Sequence, residues 1–379
     1  MKRLKLGMVG GGQGAFIGAV HRIAARLDDQ WELVAGALSS DPERALASSR
    51  ELGIADERSY SNFATMAKAE AARSDGIDAV AIVTPNHVHA GPAISFLNHG
   101  IHVICDKPLS ATLDQARDIA HAVKQSGKCF VLTHNYTGYP LIRQARAMVE
   151  AGELGDIRVV QVEYAQDWLA EEVSNKQADW RTDPTKSGMG GCIGDIGTHA
   201  INLANFVSGL EVSEVAADLN TFVAGRGLDD NAQVFLRFEG GAKGMLWSSQ
   251  VAVGNENGLT LRVYGSKGGI EWSQENPNLL QFTRLGEPKQ ILTRGGPGTT
   301  ADGTRIPPGH PEGYLEAFGT IYSDAANLIR AHDANRDAPA GERLPNIDDG
   351  VFGMAFISAC VKSSENNASW VKIKSLKDV

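Results

Sequence analysis

The chain has 379 residues, 45 acidic against 36 basic side chains, a formal net charge of -9 and 42% hydrophobic residues. At roughly 100–200 residues per domain, this length favours two domains, each with apolar mass for its own core. The acidic balance excludes a protein whose main work is coating DNA or RNA, which requires clustered Lys and Arg. No apolar run approaches the roughly 18–20 residues that span a bilayer. The basic start, Met1 to Leu6, runs into a glycine-rich segment and not into an apolar signal core. The expectation is a cytoplasmic protein with a small-molecule partner, without nucleic acid or membrane. Cys105, Cys129, Cys192 and Cys360 lie far apart, with no C-x-x-C pair, which predicts buried, reduced thiols.

Short apolar runs alternate with helical patterns through the first third. Leu4–Val9, Leu33–Leu38, Ala79–Thr84, His102–Cys105 and Cys129–Thr133 read as strands. Val20, Ile23, Ala24 and Leu27 repeat at helical spacing, and 90–98 and 113–125 read as helices stopped by Gly100 and Gly127. Strand and helix in alternation predict a doubly wound parallel sheet of the Rossmann type over residues 1–135. After Asn135 the pattern changes. A helix over 140–151 leads to a strand over 157–164, followed by strand-like runs at 231–238, 244–253 and 259–264 joined by short glycine turns. Consecutive strands with short turns pair mostly antiparallel. Helices over 311–331 and 348–362 close the chain, after a long loop over 293–308. The expected architecture is α/β for 1–135 and α+β with a large, mostly antiparallel open sheet for 136–379. An open sheet face requires cover, which predicts a homodimer or homotetramer.

Three segments carry chemistry. The first, Gly10-Gly11-Gly12-Gln13-Gly14-Ala15-Phe16-Ile17-Gly18, stands between the first strand and a helix. A glycine turn there lets backbone N–H groups and the positive helix end approach a pyrophosphate. The end of the second strand discriminates nicotinamide cofactors, since an acid holds a ribose 2′-hydroxyl whereas small or basic residues admit a 2′-phosphate. Ser39 stands where an acid is diagnostic, Ser40 follows, Asp41 comes two residues late and Arg44 is near. NAD is favoured through Asp41, and NADP stays open.

The second segment is the pair of strand ends Thr84-Pro85-Asn86-His87-Val88-His89 and Cys105-Asp106-Lys107-Pro108. In such sheets the ligand lies beyond the carboxyl ends of strands. His87 and His89 lack further metal ligands at suitable spacing, so a polar wall around the cofactor is expected, with no metal. The third segment is Gly188 to His199, in which Asp195 and His199 stand four apart, on one helical face. A carboxylate beside an imidazole favours its protonated form and holds its orientation.

Gly10, Gly12, Gly18 and His21, then Thr84-Pro85-Asn86, Asp106-Lys107-Pro108 and Asp195-Ile196-Gly197-Thr198-His199, resemble in this order the glucose–fructose oxidoreductase/inositol dehydrogenase/rhizopine-catabolism (Gfo/Idh/MocA) family. The resemblance covers essentially the whole chain. It departs from the family pattern in three extra residues before Gly18, in Asp106 for the usual Glu, and in Asn202 where an Asp often stands. The resemblance implies NAD(P)-dependent oxidation or reduction at a secondary alcohol of a sugar or cyclitol. It implies Lys107, Asp195 and His199 as the catalytic set, with His199 or Lys107 as base. Cofactor contacts are expected from Gly10, Gly12, Gln13, Gly14, Ala15, Phe16, Ile17, Ser39, Ser40, Arg44, Thr84, Pro85, Asn86, His89, Asp106 and Lys107. Substrate contacts are expected from Lys107, Asn135, Tyr136, Trp180, Arg181, Asp195, His199 and His310, with Trp168 as a further aromatic face. No cluster of Arg and Lys near these residues suggests a phosphate, so an unphosphorylated sugar or inositol is expected. The alternative is an NAD-retaining redox glycosidase or lyase of the same fold.

Overall fold

The computed structural model describes residues 2–338 and 343–373. The chain packs as two compact units: 1–135 with 318–351, and 136–317 with 352–379. The first boundary falls where the sequence pattern changes. The segment 318–351 packs with the first unit because Trp31 and His21 hold it there. Trp31 Nε1 donates to the Tyr322 carbonyl at 2.8 Å, and His21 lies against the Tyr322 hydroxyl and the Phe318 ring.

The first unit contains β1 (Leu4–Gly10), α1 (Phe16–Leu27), β2 (Trp31–Ala37), α2 (Pro42–Glu51), α3 (Phe63–Ala72), β3 (Ala79–Val83), α4 (Ala90–Asn98), β4 (His102–Cys105), α5 (Leu113–Ser126) and β5 (Phe130–Leu132). Its sheet runs β2-β1-β3-β4-β5, every pair parallel. Both faces are covered, so β3 and β4 are buried along their whole length. Strand order reverses between β1 and β3, which opens the ligand crevice at their carboxyl ends. Helices α2 and α3 fill the stretch between the second and third strands, where the sequence pattern specified no element. Each carries a cap that explains it: Asp41 accepts from the Arg44 N–H and precedes Pro42, and Asn62 accepts from the N–H groups of Ala64 and Thr65.

The second unit begins with α6 (Pro140–Glu150), β6 (Ile157–Ala165), α7 (Lys176–Arg181) and α8 (Pro184–Ser187). A π-helical turn, Ile193–Gly197, then leads into α9 (Thr198–Ser208). The strands are β7 (Val212–Asn220), β8 (Asn231–Phe238), β9 (Lys243–Ser249), β10 (Gly258–Gly265), β11 (Gly268–Ser273), β12 (Leu279–Arg284) and β13 (Gln290–Thr293). In chain order helix α10 (Tyr314–Asp333), part of the first unit from Phe318 on, helix α11 (Ile347–Glu365), part of the second from Phe352 on, and a short β14 (Val371–Lys372) follow. The nine-stranded sheet runs β13-β12-β11-β10-β6-β9-β8-β7-β14 and is antiparallel except where β6 meets β9. Alternation decides its faces: Val234, Leu236 and Phe238 on β8 point to the core and Phe235 points out. The strand expected over 244–253 ends at Ser249, one ladder hydrogen bond short of where the Gln250 N–H still meets the Asp230 carbonyl at 2.8 Å. Among the described residues no helix is long and apolar enough to cross a membrane.

Candidate active site

In the first unit the loop after β1 turns through Gly10, Gly11 and Gly14 at positive φ, a conformation open to glycine. A Cβ on Gly12 would stand 2.7 Å from the Leu38 carbonyl oxygen, and one on Gly18 would stand 2.4 Å from the Gly11 Cα. Gly14 faces open space. The residue before α1 is Ala15, which offers no side-chain cap. The first N–H groups of a twelve-residue helix are therefore left to an external anion, and the helix dipole favours one there. Gly12, Gln13, Gly14, Ala15 and the exposed Phe16 line a cleft of about 370 Å³ at this point, flanked by Gly10 and Ile17. These residues fit the pyrophosphate of a dinucleotide. Arg22, which the sequence reading passed over, also lines the cleft and donates from Nη1 to the Gly11 carbonyl at 2.6 Å. Its position one turn into α1, beside His21, was the available signal.

At the end of β2 the structure alters the expected division of roles. Asp41 caps α2, and Ser39 Oγ accepts from the Asp41 N–H at 3.1 Å. Arg44 gives its backbone N–H to that cap and is exposed, as is Ser40. The acid through which NAD was favoured is thus a helix cap.

Beyond β3, Thr84, Pro85 and the buried Asn86 lead into a short 3-10 turn. The expected cofactor contact of His89 is not what its ring does. It is fully buried, with Nδ1 at 2.9 Å from the Pro108 carbonyl and Nε2 at 2.7 Å from the Thr84 carbonyl. Burial pushes its pKa down, and the neutral ring that results has one N–H to donate to one of these two carbonyls. Asp106 is likewise held inside, accepting from Thr133 Oγ1 at 2.9 Å with His21 Nε2 at 3.5 Å. Burial opposes its charge, but His21 and Lys107 outweigh burial and bring its pKa to about 2. The carboxylate therefore sits beside Lys107 as a fixed negative charge. His134 is also buried, and burial with the nearby Lys107 lowers its pKa to about 3, so it is neutral. Asn135 is buried, its N–H bonded to the Thr133 carbonyl.

The second unit builds the carboxylate–imidazole element. Asp195 lies in the π turn and His199 in the first turn of α9. Such turns are frequent at functional sites. Asp195 Oδ2 accepts from Arg181 Nε at 3.1 Å and from Gln250 Nε2 at 2.9 Å. His199 is buried, its ring 4.8 Å from that of Tyr136 and 6.2 Å from that of Tyr164, and the two tyrosine hydroxyls bond each other. Arg181 lies over Trp180 at 4.3 Å and Trp168 at 5.9 Å. Tyr136, Trp168, Trp180, Arg181, Asp195 and His199 thus form one neighbourhood. His310 is exposed in the loop before α10, with Nδ1 3.4 Å from the Pro307 carbonyl.

Two residues missed in the sequence hold this element in place. Gln250 fixes Asp195. Asp229, almost fully buried, accepts from the N–H groups of Gly191 at 2.6 Å and Ile193 at 2.8 Å and from Cys192 Sγ at 3.1 Å. Burial pushes its pKa up against the pull of those donors. It anchors the glycine bend, and Gly191 is required there because a Cβ would stand 2.0 Å from the Asp229 carbonyl oxygen.

Of the thiols, Cys105, Cys192 and Cys360 are buried, whereas Cys129 is half-buried against expectation. Cys129, His102 and His332 bring possible metal-ligand atoms within 4.8 Å of one another. His102 Nδ1, however, accepts from the Cys129 backbone N–H at 3.0 Å. The proton of the neutral ring is then on Nε2, 3.1 Å from Asp333 Oδ1. Such a ring has no lone pair to offer a metal. Burial lowers its pKa to about 4, consistent with that neutral state. The cluster also lies at the amino end of β4, opposite the ligand end of the sheet.

Residues 4–144 match the family described as oxidoreductase family, NAD-binding Rossmann fold, and residues 142–271 match the GFO/IDH/MocA C-terminal domain. An oxidoreductase structure from Sinorhizobium meliloti is 57% identical, covers 98% of this chain and 100% of its own, and superposes with a TM-score of 0.91. An inositol dehydrogenase homolog from Azotobacter vinelandii, solved with NAD+, is 37% identical over 98% of this chain and 97% of its own, with a TM-score of 0.94. Levoglucosan dehydrogenase from Pseudarthrobacter phenanthrenivorans is 29% identical over 98% of this chain and 99% of its own. With both halves matched, the chain belongs to the GFO/IDH/MocA family of oxidoreductases and carries that family's NAD-binding Rossmann fold.

Proposed function

We propose that the enzyme is a dehydrogenase that oxidises a secondary alcohol of an unphosphorylated sugar or cyclitol, with NAD as hydride acceptor. The observation that carries this reading is a fixed carboxylate and a buried imidazole set four residues apart in the second unit. Asp195 is fixed by Arg181 and Gln250, and His199 sits buried among tyrosines. A wall of this kind, with amides, hydroxyls and aromatic faces, suits a polyol. The names of the inositol and levoglucosan relatives support the same substrate class.

NAD supplies the acceptor for the hydride that leaves the carbinol carbon. His199 removes the hydroxyl proton as general base, a role suited to imidazole near neutral pH. Asp195, four residues before His199, supplies negative charge that stabilises the imidazolium that results. Lys107, at the carboxyl end of β4 and beside the ionised Asp106, donates to the reacting oxygen and offsets its developing charge, a contribution of about 2–4 kcal/mol. The test is NADH formation followed by absorbance across inositols, aldoses, glycosides and anhydrosugars, with NAD and NADP assayed separately. Stoichiometric NADH with a neutral polyol is expected. Product formed without net NADH, or turnover confined to phosphorylated sugars, contradicts the proposal.

A further inference from the structure

The second unit holds a cleft of about 930 Å³ in which Tyr314 presents aromatic surface over a floor formed by the buried Tyr139, Asn257 and Gln274 present amides, and Glu256 and Glu275 present carboxylates. We propose that it is a saccharide subsite, so that the substrate carries at least two neutral rings. One ring is oxidised beside His199 and the next is held against Tyr314, with Asn257, Gln274 and Glu275 at its hydroxyls. The inference rests on the dehydrogenase reading above and specifies its substrate.

A continuous polar rail joins the two places. Arg181 Nε donates to Asp195 Oδ2, and its guanidinium lies over the Trp168 ring. Trp168 Nε1 donates to Gln166 Oε1 at 3.1 Å, and Gln166 Nε2 donates to Asn257 Oδ1 at 2.8 Å. Asn257 Nδ2 donates to Gln274 Oε1 at 2.9 Å, and Gln274 Nε2 reaches the Tyr139 hydroxyl at 3.1 Å. Asn257 Oδ1 also accepts from the Tyr164 hydroxyl at 2.8 Å, and the Tyr164 ring packs on His199. Every donor in this series meets an acceptor, which fixes the orientation of each amide. The ordered amides are already aimed before a ligand arrives, which lowers the entropic cost of binding.

The lining also selects the ligand. A pyranose or cyclitol has hydroxyls around its rim and apolar C–H faces, matching carboxylates and amides beside aromatic surface. Glu256 and Glu275 repel phosphate and carboxylate groups, and no Lys or Arg among the described residues lines the cleft to offset them. Its volume lies at the upper end of the roughly 300–1,000 Å³ of drug-sized sites, more than a single six-carbon ring fills.

The experiment pairs monosaccharides with their glycosides, glucose with maltose and cellobiose and myo-inositol with galactinol, in NADH-formation kinetics. At least one disaccharide is expected to show a KM about tenfold below that of its monosaccharide at similar kcat. Tyr314→Ala and Glu275→Gln should erase that advantage and leave monosaccharide kcat/KM within about twofold. Equal KM values for both members of every pair overturn the subsite, as does an equal loss for both in the variants. Titration calorimetry on the NADH-loaded enzyme separates this idea from the parent reading. If no polyol is oxidised, the dehydrogenase proposal fails. Disaccharide binding lost in Tyr314→Ala would then still support the subsite, and absence of binding to the wild type would overturn it.

Discussion

Single residues that look alike in the sequence carry unequal roles. His199→Ala and Lys107→Ala are each expected to lower kcat by about two to four decades while NAD affinity, measured by fluorescence titration, stays within a few-fold of wild type. Near-normal turnover in either variant removes that residue from the chemistry. His134 gives a different prediction. Its buried ring, with a pKa near 3, stays neutral in the folded protein while an unfolded histidine protonates near 6.5. The unfolded state therefore binds the extra proton between those values, and stability falls as pH drops from about 6.5 toward 3, by up to about 1.4 kcal/mol per pH unit. His134→Gln should flatten the slope by up to that amount in urea melts at pH 6.0, 5.0 and 4.5. An unchanged slope refutes this assignment. His21, His89 and Asp106 show where single-residue reading reached its limit. Their motif positions were legible, but that His89 is buried between two carbonyls and that Asp106 meets His21 depends on packing between segments distant in sequence.

At the scale of elements, the parallel half was largely legible because buried strands are continuous apolar runs and helices carry 3.6-residue repeats. The strand over 102–105 and the helix over 90–98 match to the residue. Helices α2 and α3 escaped because their apolar faces are weak, yet Asp41-Pro42 and Asn62 are readable caps. The π turn was invisible because a four-residue spacing of Asp195 and His199 suits an ordinary helix, and the anchor for the bend is Asp229 on a distant loop. Asp229→Ala leaves two buried N–H groups unsatisfied, which predicts about 2–4 kcal/mol lost in urea unfolding and a fall in kcat with little change in NAD affinity. Full activity with a normal melt would show that the bend needs no such anchor. In the glycine loop, Gly18→Ala sets a Cβ against Gly11 backbone. It is expected to weaken NAD binding at least tenfold, read by the same fluorescence titration, and unchanged affinity would separate this loop from the cofactor.

At the scale of the whole molecule, the sheet leaves an apolar surface uncovered in the isolated chain. Phe235 and Met245 face each other across β8 and β9 at 59% and 45% exposure, with Val159 on the adjacent β6 at 39%. Contiguous apolar surface of this kind marks an association face. We expect a homodimer or homotetramer by light scattering, and Phe235→Glu should shift it toward the single subunit. A wild type that already has one subunit's mass contradicts this. The division into a dinucleotide half and a half bearing the imidazole was legible in glycine and strand spacing, whereas the substrate's size is written only in side chains that folding gathers, such as Asn257, Gln274 and Tyr314. The chemistry assigned to Lys107 and His199 is checked by following NADH formation from one neutral polyol by the wild type, Lys107→Ala and His199→Ala, with NAD affinity measured in parallel. One NADH per alcohol oxidised is expected, lost in both variants while NAD still binds. Turnover that survives either substitution, or product that appears without NADH, would contradict it.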